Sequence, residues 1–165
     1  MIAGEQNEVT RAVRTLIAGE IALGDLYKLY ATRISAEQRF FTHLALEENY
    51  HARWLEGLFP KIDAGLVTFR DNRLQTGIFV EFLAYLRQRI AEARTQSPTL
   101  FAALSVARDL EGTVVEKCFF ELFTSSDPAA HRTLRTLHTA TVIHARRVGE
   151  KWEQHKPDGY HPFWS

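Results

Sequence analysis

Four segments of this chain repeat apolar residues at alternating spacings of three and four, and each repeat is broken by a polar side chain where the pattern calls for an apolar one. The first runs Val9, Val13, Leu16, Glu20, Leu23, Tyr27, Ala31, and the second Phe41, Leu44, Glu48, His51, Leu55, Leu58. The third is Phe101, Leu104, Ala107, Glu111, Val114, Cys118, and the fourth Leu134, Leu137, Thr141, His144, Val148, Trp152. Spacing of this kind puts residues on one face of an α-helix. Four such faces are removed from water by packing against one another, so an all-α bundle is expected. Only Leu66 to Phe69 reads as strand-like, and it is short and isolated.

Local chemistry sets the expected boundaries. Ser35 and Gln38 are spaced as a capping box for the second helix, and Pro60 is expected to close it. Ser97-Pro98 and Asp127-Pro128 each place a capping side chain before a proline, which predicts the starts of the third and fourth helices. Tight connections near Ile34 and Ser126 predict two antiparallel helical hairpins. Between them lies a crossover, part loop (Lys61 to Gly77) and part amphipathic helix with Phe79, Phe82, Leu86, Ile90 and Ala93 on one face. A crossover of that length lets the third helix run parallel to the second.

The polar interruptions then fall at one depth. Glu20 and Glu48 each lie 14 residues from Ile34, about 21 Å at the helical rise, and Glu111 and Thr141 each lie 15 residues from Ser126, about 22 Å from the other turn. The hairpins also echo each other, because Tyr50-His51-Ala52-Arg53 is repeated as Ile143-His144-Ala145-Arg146. The combined pattern is Glu, Glu-x-x-His, Glu, Thr-x-x-His. A spacing of three sets Glu48 and His51 side by side, so that a carboxylate oxygen and an imidazole nitrogen reach one ion together. A single Glu-x-x-His carries little weight, since roughly 0.6 is expected by chance from this composition. Three glutamates inside apolar stripes carry more, because an unpaired buried carboxylate costs several kcal/mol. They are expected to hold a metal, or else to be neutralised by hydrogen bonds from His51 and His144.

Bulk properties narrow the function classes. The 165 residues suit one domain, residues 1–165, ending in an aromatic tail at residues 156–165. Twenty Lys and Arg balance twenty Asp and Glu, which gives no field for nucleic acid or anionic lipid, and no apolar run reads as a membrane span. The lone Cys118 excludes a disulfide framework, and the first residues lack a signal-peptide pattern, so a cytoplasmic protein is expected. His43, His131, His138, His155 and His161 lack a place in the pattern and read as surface groups, as do Arg132, Arg135, Arg146 and Arg147. Of the remaining acids, Glu47 and Glu116 lie roughly 100 to 140° round their helices from the ligand faces. The tail, ending Tyr160-His161-Pro162-Phe163-Trp164-Ser165, is too aromatic for a free terminus and is expected to dock on its own bundle or on a second subunit, making a homodimer.

With these residues in place, the chain resembles the ferritin-like, rubrerythrin-related carboxylate-bridged di-iron proteins over roughly residues 5 to 155. The resemblance implies a ferritin-like four-helix bundle. It also implies Glu20 and Glu111 as terminal ligands, Glu48 as a bridging ligand, and His51 and His144 as one nitrogen ligand per metal. Thr141 stands where the family pattern has a second bridging glutamate, so three carboxylates leave two divalent ions with net charge of about +1. Tyr27, two turns from Glu20, is placed to hydrogen-bond a ligand as well as to pack.

The function implied is that of a non-haem iron protein, holding one or two irons, that reacts with peroxide or dioxygen, with manganese or zinc as other candidate metals. The chain has no rubredoxin domain, so as a peroxide reductase it would take electrons from a separate donor. Two other expectations stand beside this one: a non-catalytic iron-handling or sensing bundle with a degenerate site, and an oxidase or hydroxylase of an organic substrate.

Overall fold

The computed structural model describes residues 2–70, 77–116 and 119–160, with the side chains of residues 2, 3 and 116 left out. Cys118, His161 and the tail beyond Tyr160 therefore lie outside the described residues. Helix α1 spans Ile2–Arg33, α2 Gln38–Glu56, the short α3 Phe59–Asp63, α4 Gly77–Thr95, α5 Leu100–Glu116 and α6 Pro128–His155. Two three-residue strands, β1 (Val67–Phe69) and β2 (Phe123–Ser125), are the described exceptions to an all-α chain.

All described members of the four stripes are buried except Phe101, which packs half-buried against the core. The helix senses follow from paired residues. On α1 and α2, Glu20 meets His51 while Tyr30 meets Phe41, so the two run antiparallel. Glu111 approaches His144 and Ser105 accepts from the Trp152 indole, which makes α5 and α6 antiparallel as well. Across the hairpins, His144 faces Glu48 while Lys151, farther along α6, reaches back to Glu37. Helices α2 and α6 are thus antiparallel, and α5 runs parallel to α2. Gly24 permits a close approach of α1 to α2, since a Cβ there would sit 3.3 Å from the Ala45 carbonyl oxygen.

The crossover helix α4 buries the expected face, Phe79, Phe82, Leu86, Ile90 and Ala93, and packs against α1. Its aromatic end meets Phe119 edge-on at 4.9 and 5.3 Å from Phe79 and Phe82. That cluster continues into Phe123 of β2, which stacks on Phe69 of β1.

Several boundaries differ from the sequence expectations. Ser35–Glu37 is one turn of 3₁₀-helix and the N-cap position of α2 falls on Glu37, whose carboxylate accepts from Lys151 Nζ at 2.9 Å and caps nothing, so the Ser35–Gln38 capping box does not form. Pro60 opens α3 instead of closing α2, using the helix start where its missing N–H costs nothing. Thr99, not Ser97, caps α5, its hydroxyl accepting from the Ala102 N–H at 3.2 Å. Asp127 caps α6 as expected, accepting from Ala129 and Ala130 at 3.1 and 2.9 Å. The strand-like Leu66–Phe69 stretch is not isolated: β1 pairs antiparallel with β2, Val67 opposite Ser125 and Phe69 opposite Phe123. In consequence the link from α5 to α6 is a structured segment with its own strand, not a tight turn at Ser126. Among the described residues no helix is long and apolar enough to cross a membrane.

Candidate metal centre

Among the described residues, the polar side chains buried in the core are Glu20, Glu48, His51, Glu111, Thr141 and His144, all of them the stripe interruptions. Glu48 is the centre of the group. Its Oε2 lies 2.9 Å from His51 Nδ1 on the same helix, and its Oε1 lies 2.9 Å from His144 Nδ1 on α6. Glu20 approaches the first imidazole from α1, with Oε2 3.5 Å from His51 Nδ1. Glu111 approaches the second from α5, with Oε1 3.9 Å from His144 Nδ1. The two imidazoles lie 5.0 Å apart, centre to centre. One carboxylate therefore divides two half-sites, each made of one imidazole nitrogen, one Glu48 oxygen and one further glutamate.

Helical geometry explains the convergence. The 48-to-51 spacing stacks carboxylate over imidazole on the buried face of α2. The antiparallel pairings bring positions 20, 111 and 144 to the same level from three other helices. Thr141 is buried at this level too, but its hydroxyl donates to the Leu137 carbonyl at 3.0 Å, one turn back on its own helix. Tyr27 Oη donates to Glu111 Oε1 at 2.7 Å, fixing that carboxyl's orientation. Burial pushes the phenol well above its ordinary pKa, with the Glu111 charge adding to the effect, so it stays a donor.

One member of the group was not anticipated. Glu47 reaches His144 Nε2 at 2.9 Å with its Oε2, and Arg147 Nη1 donates to that same oxygen at 2.7 Å. Its helical angle points it off the core face and toward α6, which packs against α2 on that side. The signal available in advance was adjacency to Glu48 together with the imidazole's need for a partner on its second nitrogen. Arg147 is accordingly paired within the chain, whereas Arg146 stays on the outer surface near Glu150. Glu81 is exposed, and of the other described histidines His138 pairs with Glu121 and His155 with Glu37.

Electrostatics distribute protons unevenly. Burial opposes ionisation of Glu48, but hydrogen bonds from His144, His51 and Glu20 outweigh it and hold this carboxylate well below the usual range. Burial, reinforced by the Glu48 charge, pushes Glu20 well above the ordinary value and Glu111 up to about 8. Burial disfavours the charged imidazoles, yet contacts with Glu20 and Glu48 raise His51 to about 10, and Glu48 likewise raises His144. These shifts favour a single anion at Glu48 beside a charged His51 ring, with protons on the flanking carboxyls and His144 shifted in the same direction as His51.

These residues fit a metal. Atoms of Glu48, His51 and His144 lie within 4.8 Å of one another and are buried. Adjacent ligand atoms in an octahedral shell with bonds of about 2.1 Å stand about 3.0 Å apart, close to the 2.9 Å nitrogen–oxygen separations here. An ion entering either half-site displaces a proton from Nδ1 and keeps both donors nearly in place. His144 has the carboxylate partner on its other nitrogen that metal-bound imidazoles use. The metal identity is open to the same donor set, because carboxylate and imidazole serve iron, manganese and zinc alike.

No family model, curated protein or solved structure matches this chain.

Proposed function

We propose that the chain is a ferritin-like, rubrerythrin-related four-helix-bundle protein whose buried glutamates and histidines hold non-haem iron, up to two ions, for reaction with peroxide or dioxygen. The observation that carries this reading is the division of Glu48 between two imidazoles, one oxygen at 2.9 Å from each. In the metal-free core the same contacts hydrogen-bond the carboxylate, and they also set one oxygen and one imidazole nitrogen together on either side, donors that would suit two ions. Parallel α2 and α5, joined through a long crossover, are the connectivity of ferritin-like bundles.

When bound, iron would supply a reversible electron couple and a coordination position for an oxygen ligand. The protein's own part is separate. Glu48, Glu20 and Glu111 set the charge at the site, Tyr27 orients Glu111, and Glu47 holds His144 in one ring orientation while linking it to the half-exposed Arg147. Turnover as a reductase would draw electrons from a separate donor protein.

Anaerobic reconstitution with ferrous iron tests the proposal: two irons per chain, oxidised on adding peroxide, is the expected result. No metal after reconstitution overturns it. A second reading, a non-catalytic iron-handling or sensing bundle, is favoured by one observation, the Thr141 hydroxyl turned to Leu137, which leaves the second bridge unmade. It predicts one tightly held ion and no oxidation by peroxide.

A further inference from the structure

Helix α2 buries Leu44, Glu48, His51 and Leu55 on one side and presents a different ridge to solvent. Along that ridge Leu46, Tyr50 and Trp54, four residues apart, are 52%, 53% and 40% exposed. Flanking helices widen it. Ile21, exposed on α1, sits one turn before Gly24, whose backbone abuts α2 at Ala45 and Asn49. Ile143, exposed on α6, precedes His144, which faces Glu48. Ile21, Tyr50 and Ile143 therefore form a band across three helices at one level, crossing the ridge. Contiguous exposed apolar surface of this kind marks an interaction site more often than idle surface.

The ridge also carries charge, and its order names the occupant. Glu47 and Arg53 lie three residues to either side of Tyr50, and Leu46 and Trp54 lie four to either side. A two-fold axis through Tyr50 with a second α2 antiparallel puts Leu46 on the partner's Trp54 and Glu47 beside the partner's Arg53. Self-complementarity under a two-fold is what an isologous interface requires.

We propose that this ridge is the interface of a homodimer, two copies packing antiparallel along α2 about Tyr50. The contact covers Trp54, whose indole lies 5.6 Å from the His51 ring, and so shields the outer side of the first half-site. This interface does not depend on what metal the core holds.

The test uses the full chain. Sedimentation equilibrium is expected to give twice the 18.9 kDa chain mass, and Leu46→Glu with Tyr50→Glu to halve it while leaving the far-ultraviolet dichroism unchanged. Should that double variant fail to fold, Tyr50→Cys in a Cys118→Ser background is expected to cross-link to a covalent dimer on mild oxidation, because the axis brings position 50 against itself. Arg87→Cys, exposed on α4, in the same background is the control and is expected to stay monomeric on denaturing gels. A monomeric wild type, a folded double variant that keeps the doubled mass, or equal cross-linking through Arg87→Cys each overturns the proposal.

Discussion

Glu48 and His144 are 96 residues apart in the chain, yet the carboxylate Oε1 and the imidazole Nδ1 lie 2.9 Å from each other in the core. The same carboxylate is shared with His51, so its removal strands two buried imidazoles at once. Glu48→Gln is expected to abolish metal uptake at both half-sites, read by elemental analysis after reconstitution. In the metal-free protein it should cost about 3 kcal/mol of stability, the usual penalty for breaking a buried charge pair, read by urea denaturation.

Glu47 should behave differently. It is half-exposed and touches His144 only at the outer nitrogen, so Glu47→Gln is expected to change metal-free stability by less than about 1 kcal/mol. Metal affinity should fall about 10- to 100-fold, the range seen when the partner of a metal-bound imidazole is lost. Calorimetric titration with zinc separates the two effects; unchanged affinity would remove Glu47 from the site.

The proton distribution gives a pH signature. His51 is raised to about 10 from 6.5 and His144 is raised too, so their stabilising contribution is fully present below about pH 6.5 and is lost as pH climbs through the folded-state values. Glu111, raised to about 8 from 4.5, and Glu20 act in the same direction, because the unfolded chain ionises first. Glu48, held low, opposes them only in acid, where its contribution is lost as pH falls below the unfolded value of 4.5. Metal-free protein should therefore be most stable near about pH 5 and lose stability steadily toward pH 10. Urea midpoints across that range check this, and zinc binding at neutral pH should release protons into a weakly buffered indicator.

Thr141→Glu adds a carboxylate at the level of the site. At limiting metal, occupancy is expected to rise above the wild-type value toward two ions per chain, since a fourth carboxylate brings the net charge of two divalent ions and their ligands to about zero. Without metal the same variant should melt lower than wild type, having one more buried acid to keep protonated. Occupancy unchanged from wild type would mean that position 141 does not address the ions.

The buried stripes were legible because helical periodicity is local: each turn reports its own face, and Glu20, Glu48, His51, Glu111, Thr141 and His144 stood out as polar breaks in it. Their common depth followed from counting back to the turns. What escaped depended on contacts between distant segments. Glu47 lies off the core face of its own helix, and only the packing of α6 beside it creates the partner. The N-cap position of α2 falls on Glu37 and not on Ser35, and the Glu37 carboxylate pairs with Lys151 from the other end of the chain instead of capping. The pairing of Val67–Phe69 with Phe123–Ser125 joins two short stretches whose strand character is weak alone and sufficient together. Tyr30, off the apolar stripe of its helix, is nevertheless buried where α1 meets Phe41.

That small sheet sets a gauge for the core. Its three paired positions, backed by Arg70 N–H to the Leu122 carbonyl at 2.8 Å and Ser126 N–H to the Leu66 carbonyl at 3.1 Å, anchor the chain just before α6 begins. Slippage there must go by two residues to keep the same sides facing inward, a step of about 6.8 Å. One helical turn is about 5.4 Å, so a single slip would carry His144 more than a full turn past Glu48. Six residues far from the carboxylates thus act as the vernier that decides at what height the fourth helix offers its imidazole.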